Sequence, residues 1–234
     1  MSDLRVAGFN HISFWQEDGI GVIVLRTKNG LADPSIFSEL VLSVSQATID
    51  DNVKCIAFTG LNLKFMNRID KRVTTLAELI EYLETLRTFV SVIYSVKKNV
   101  YSIVNGDAIN EGYEIALLSD YIISSDLARL GFRDGHNYSL LGSLTGSRFN
   151  YPLEGKSREK VNCDAVLPSS TLLEDAKKLI LSDLQINRFL PRRTRWNLFE
   201  KAMNDEREAI IESFSKSGTV SQQNDKRNQG NTEN

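Results

Sequence analysis

The chain has 234 residues, 41% hydrophobic and 25% charged, enough to bury a proper core within one α/β domain. A formal net charge of −2 argues against nucleic acid as the main partner. The only two cysteines, Cys55 and Cys163, have no metal-ligand spacing, which argues against a disulfide framework or a metal site and suits a reducing, cytoplasmic setting. No apolar run approaches the roughly 18 residues of a membrane span, and Met1–Arg5 carries no apolar signal core, so neither membrane nor export segment is expected.

Residues 10–26 alternate and then run apolar, with turn dipeptides at Asp18-Gly19 and Asn29-Gly30, which predicts two hairpin strands. His11 reads as a surface strand residue, because no partner pattern accompanies it. Pro34 introduces a helix through Ile36, Leu40, Val44 and Ala47, and the turn Asp50-Asp51-Asn52 leads into a strand over 53–58. The loop 60–75 is basic, with Lys64, Arg68, Lys71 and Arg72; such a loop either faces phosphates or is simply solvated. From Thr75, Leu76, Leu79, Ile80, Leu83, Leu86, Val90 and Ile93 recur at helical spacing and lead into a strand over 99–104. No internal repeat is visible in the sequence.

The densest turn chemistry lies in 104–134. The strand stops at Asn105-Gly106, a dipeptide that favours positive φ. Gly112 then opens a helix with Ile115, Ala116 and Leu118 on one face, followed by the apolar strand Tyr121-Ile122-Ile123. Glu114 falls in the first helical turn, where unpaired backbone N–H groups favour negative charge; it is either an ordinary helix-start carboxylate or a functional acid. Asp134, between Gly131 and Gly135, is a loop residue by local signals. His136 follows closely and reads as a surface histidine, with pairing to Asp134 as the alternative. Ser169-Ser170-Thr171 caps a helix with Leu172, Leu173, Ala176 and Leu179, and Arg188, Arg192, Arg193 and Arg195 form a basic turn around Pro191. A further helix, 196–214, carries Trp196, Phe199, Ala202, Ile210, Ile211 and Phe214, and the polar tail 216–234 is expected to be disordered.

The string Val104-Asn105-Gly106-Asp107-Ala108, then Gly112-Tyr113-Glu114-Ile115-Ala116-Leu117, then Ser119-Asp120-Tyr121-Ile122-Ile123, Ala128 and Gly131, resembles the signature of the crotonase superfamily, the enoyl-CoA hydratases and isomerases. Upstream, Gly21-Val22-Ile23-Val24-Leu25 and Val53-Lys54-Cys55-Ile56-Ala57-Phe58-Thr59-Gly60 resemble two of its strands. Downstream, Val166-Leu167-Pro168 and the helices to Phe214 resemble its C-terminal part, so the likeness covers about residues 5–215.

The resemblance implies a spiral of repeated ββα turns with a C-terminal helical trimerisation region, divided as a core over 1–168, helices over 169–215 and the tail. It implies an acyl-CoA thioester as substrate, a homotrimer or hexamer, and no cofactor beyond the coenzyme A of the substrate. Glu114 and Asp134 stand at the two acids of the hydratases, Asp134 being one methylene shorter than the usual Glu. The backbone N–H groups of Ile69 and Glu111 stand at the two donors of the oxyanion hole, although Arg68, Asn110 and Glu111 occupy places where the family has glycine. Asn29, Lys64 and Arg68 are candidates to border the CoA nucleotide. Met66 and Leu83, with Leu79 and Phe89, are candidates to line the acyl pocket, a plain core stripe being the alternative. Between Tyr151 and Val166 the chain has only a short charged link where the family has a longer segment. The expected activity is enoyl-CoA hydration, with double-bond isomerisation or non-catalytic binding of an acyl-CoA or a protein as alternatives.

Overall fold

The computed structural model describes residues 8–70, 74–132, 163–185, 204–205, 207–212 and 214–216, and the architecture is that of these residues. It begins with the antiparallel hairpin of β1 (Ile12–Glu17) and β2 (Ile20–Leu25), whose turn holds Asp18 at φ 50° and Gly19 at φ 82°. From β2 onward one unit recurs: a long strand, a short strand, a helix. The first unit adds β3 (Leu31–Ala32) and α1 (Ile36–Ile49). The second is β4 (Cys55–Gly60), β5 (Arg68–Ile69) and α2 (Leu76–Ser95), and the third β6 (Asn99–Val104), β7 (Ala108–Ile109) and α3 (Glu111–Leu118). Then come β8 (Tyr121–Ser125), β9 (Leu130–Gly131), β10 (Ala165–Leu167) and α4 (Leu172–Gln185).

The long strands form one sheet in the order β1-β2-β4-β6-β8-β10, parallel from β2 on. The short strands step alongside in the same direction: β3 pairs with β5, Met66 bridges Ala108, and β7 pairs with β9, all parallel. This is the expected spiral of ββα turns, made without a sequence repeat.

Side-chain alternation explains why the sheet is covered on both faces. Ile23 and Leu25, Ile56 and Phe58, Val100 and Val104, and Ile122 point into the main core with α1, α2 and α3. Their neighbours Ile20, Cys55 and Ala57, Tyr101 and Ile103, and Ile123 point to the other face, where Leu172, Ala176 and Ile180 of α4 meet them. Burial pushes the Cys55 and Cys163 thiols up to about 12, so both are protonated, inert core groups. In α4, Leu173 is 52% exposed and Asp183 takes an inward place instead, accepting from the Tyr101 hydroxyl at 3.3 Å.

The Thr75 start of α2 is fixed by a capping box with Glu78. In the C-terminal helix, Ile210 is buried in the main core of its own chain, with Ile211 and Phe214 packed beside it and Arg207 paired to Glu84 of α2 at 2.9 Å. The described part of this helix thus packs on the core of its own chain on the side of α2. Trp196, Phe199, Ala202, the arginines around Pro191 and the tail lie outside the described residues. Among the described residues, no helix is long and apolar enough to cross a membrane.

Carboxylates secure the entering ends of the strands. Glu39 accepts from the N–H groups of Asn10, His11 and Ile12 at 3.0, 2.8 and 3.2 Å. Asp120 accepts from Val100 N–H at 2.8 Å, and Asp164 from Ile122 N–H at 2.7 Å.

At the leaving ends an amide does the same work. The buried Asn105 side chain accepts from Gly60 N–H at 3.1 Å and donates to Gly60 C=O at 2.6 Å, closing β4 onto the turn after β6. Asn105→Ala leaves both Gly60 groups buried without their partner, so unfolding in urea should show a loss of about 2–3 kcal/mol at unchanged m-value.

Candidate functional site

Open α/β sheets gather ligand-binding groups in the loops beyond the carboxyl ends of their strands. Here those loops build two adjoining features.

The first is the start of α3. After β7 the backbone turns through Asn110 at φ 52°, ψ −120°, a path that glycine takes freely and asparagine takes at about 1–3 kcal/mol. Asn110 N–H donates to Gly131 C=O and its own C=O accepts from Glu114 N–H, both at 2.9 Å, which holds the strained residue in place. The glycine-type path thus survives the side chain. Gly112, next but one, lies so close to the Met66 carbonyl that any Cβ would overlap it. Met66 is tied in turn to β7, donating to Asp107 C=O at 3.2 Å and accepting from Ile109 N–H at 3.0 Å.

The β3–β5 ladder uses the amides of Arg68, at 3.3 Å to Gly30 C=O, and of Asp70, at 2.7 Å to Ala32 C=O. Strand alternation therefore turns the Ile69 amide to the opposite edge, the one on the side of β7 and α3. An α-helix supplies no internal acceptor to its first N–H groups, so the Glu111 amide points out of the start of α3. Two backbone donors, Ile69 and Glu111, are thereby brought to one region.

Glu111 and Glu114 are three residues apart and so share a face of α3. Glu114 is only 6% exposed. Glu111 is half-buried, with Oε2 inside the protein. Helix α2 packs on α3, and its Tyr82 packs against the main core. Burial pushes the Tyr82 phenol pKa up, and the charges of Glu111 and then Glu114 push it further in that direction.

The second feature is a cavity of about 550 Å³ beyond the ends of β2, β4, β6, β8 and β10. Asn29, at φ 55°, and Lys64 line one side, with Lys64 Nζ donating to Asn29 Oδ1 at 2.9 Å. Asn105 and Gly106 line it too, as do Ser169 and Ser170. Leu63 and Leu127 contribute apolar lips that are 66% and 69% exposed, and Leu63 is held at φ 57°, an unusual conformation for a bulky side chain.

The candidates from the sequence thus divide. Glu114, Glu111 and the Ile69 backbone come together around α3, and Asn29 and Lys64 come together at the cavity. The Arg68 side chain is exposed and does not line the cavity. Met66 and Leu83 are 0% and 2% exposed and sit in the main core with Leu79 and Phe89. Asp134 and His136 lie outside the described residues, as does the link from 151 to 162. Tyr82 was not anticipated; its signal was its place between Leu79 and Leu86 in the inward stripe of α2. Asn105 was legible only as a turn former. Among the described residues, no group of three or more His, Cys, Asp or Glu could hold a metal ion.

Residues 16–154 match the family model described as enoyl-CoA hydratase/isomerase. Enoyl-CoA hydratase ACTT3 of Alternaria alternata is 30% identical over 122 residues, 49% of this chain and 40% of that protein. The 6-oxocyclohex-1-ene-1-carbonyl-CoA hydrolase of Geobacter metallireducens is 30% identical over 143 residues, 58% of this chain and 35% of that protein. The likeness therefore spans less than half the length of either relative. Among solved structures, an enoyl-CoA hydratase from Bacillus halodurans superposes with a TM-score of 0.68 at 16% identity, covering 86% of this chain and 94% of that one. One from Mycobacterium avium subsp. paratuberculosis K-10 gives 0.67 at 15% identity, covering 88% and 95%. At such identities the likeness is one of fold.

Because Gly112 has no room for a methyl group against the Met66 carbonyl, Gly112→Ala forces α3 away from the loop before β5. Thermal unfolding should show a loss of about 1–3 kcal/mol or more, whereas Ala116→Gly in the same helix, which removes a buried methyl, should leave the Ile69–Glu111 region in place.

Proposed function

We propose, proceeding from a chain that belongs to the enoyl-CoA hydratase/isomerase family, that it acts on an acyl-CoA thioester and adds water across a 2-enoyl-CoA. The observation that carries this reading is Glu114: a carboxyl only 6% exposed, in the first turn of a helix entered through a glycine-type backbone turn. A buried carboxyl beside outward-pointing backbone donors is the pairing this chemistry needs.

In this reading the thioester oxygen accepts from the amides of Ile69 and Glu111. Water oxygen bonds to the β carbon as a carboxylate takes its proton. The C=C electron pair moves toward the thioester as an enolate, and a second carboxyl then delivers a proton to the α carbon, leaving a 3-hydroxyacyl-CoA. Glu114 and Asp134 are the two carboxyls. Lys64 and Asn29, facing the cavity, receive the anionic part of coenzyme A, with Arg68 available to phosphate from the surface, and Met66 and Leu83 back the acyl chain from the core. The relatives named for enoyl-CoA hydration and for hydrolysis of a cyclic acyl-CoA support the substrate class.

A second reading, binding of an acyl-CoA without turnover, is favoured by one observation. The residue whose amide would hold the enolate oxygen, Glu111, also carries a half-buried carboxyl that opposes negative charge there.

Hydration of crotonyl-CoA, followed by loss of enoyl absorbance, separates the two. The wild type should turn over and Glu114→Gln should fall by about a hundredfold or more in kcat, with thioester affinity retained. A wild type that binds the thioester but leaves it unchanged establishes the second reading, and turnover indifferent to Glu114→Gln refutes the first.

A further inference from the structure

The cavity that receives the anionic part of coenzyme A in the proposed function, on which this inference rests, has a carboxylate in its own wall. Among its described lining residues Lys64 is the one cation and Asp107 the one carboxylate. Taken alone the two charges cancel, and an anion between them gains little over a neutral ligand. What each charge is bonded to decides the field.

Lys64 is held by a neutral group: its Nζ donates to Asn29 Oδ1 at 2.9 Å, so its positive charge still faces the ligand. Asp107 is held by a cation. Arg129 donates from Nε to Oδ2 at 3.0 Å and from Nη2 to the same oxygen, while its backbone N–H donates to Oδ1 at 3.0 Å. The backbone fixes the two residues as well: Ala108 N–H donates to Arg129 C=O at 2.9 Å, and Met66 N–H to Asp107 C=O at 3.2 Å. Asp126, between two lining residues, turns its carboxylate to Ser169 N–H at 2.8 Å. An ion pair whose arginine is 65% exposed contributes little to stability, so the weight of the Asp107–Arg129 pair lies in the potential of the cavity.

We infer that Arg129 sets the affinity of this cavity for an anion by neutralising Asp107, which leaves the Lys64 charge to act on the ligand. Arg129 is thus a positioning residue that works through Asp107, and the anion it admits is a phosphate or diphosphate carried by the thioester.

Calorimetric titration of the full chain with CoA reads this without turnover. At low salt Arg129→Gln should weaken binding about fivefold or more, and Asp107→Asn should tighten it about threefold or more. The double variant removes one charge of each sign and should return to within about twofold of wild type, as should Arg129→Lys, which keeps the charge and loses the fork. These differences should shrink in about 1 M NaCl, where the Debye length is about 3 Å. A structural role for the pair predicts instead that both single variants weaken binding, equally at either salt concentration. Failure of Asp107→Asn to tighten binding, or of Arg129→Gln to weaken it, overturns the proposal while the acyl-CoA reading stands. The expected pattern in a protein that leaves crotonyl-CoA unchanged supports the proposal and refutes hydration alone. A wild type with no affinity for CoA overturns both.

Discussion

Three close approaches of backbone to backbone organise this molecule. The loop between β4 and β5 passes over the ends of two strands and the start of a helix so tightly that its carbonyls at Lys64, Leu63 and Met66 lie against Gly60, Gly106 and Gly112 in turn. No residue with a Cβ fits at these points. The contact at Gly60 closes the loop on its own strand and those at Gly106 and Gly112 join it to the next turn of the spiral, so the place of Ile69, the entry angle of α3 and the walls of the cavity all follow from the same seating of one loop. The Asn105 amide, clasping Gly60 on both its backbone groups, locks the first of these contacts.

Polar side chains are distributed by role along the strands. Carboxylates, Glu39, Asp120 and Asp164, satisfy amides where β1, β6 and β8 begin. The opposite edge carries amides, hydroxyls, Lys64 and one carboxylate, Asp107, which is paired with Arg129. A slightly acidic chain thus spends many of its acids on structure, and Glu114 and Glu111 stand out because they are buried at the other edge.

Much of this was legible in the sequence, and the failures have physical causes. The hairpin at Asp18-Gly19, the helix from Thr75 and the strand ending at Asn105-Gly106 were readable because each is set by local turn or capping chemistry together with a period of 2 or 3.6. Boundaries moved by a residue or two, as at β4, which starts at Cys55 although Val53 is already buried. The repeated ββα turn was not visible as a repeat, because its short strands are only two residues long and carry no pattern. The conformation of Asn110 was hidden by its side chain, since positive φ is read from glycine.

The order of the sheet has a consequence for how the chain is made. From β1 to β10 the strands lie side by side in the order in which a ribosome releases them. Each new turn meets a finished neighbour, so most pairings are between segments close in synthesis, the kind that form early and expose little unpaired edge for long. Among the described residues, two helical segments break that order: α4 returns to Ile20 and Cys55 on one face, and Ile210 to the main core on the other. Until those segments are made, part of the apolar surface on each face of the sheet lacks its cover.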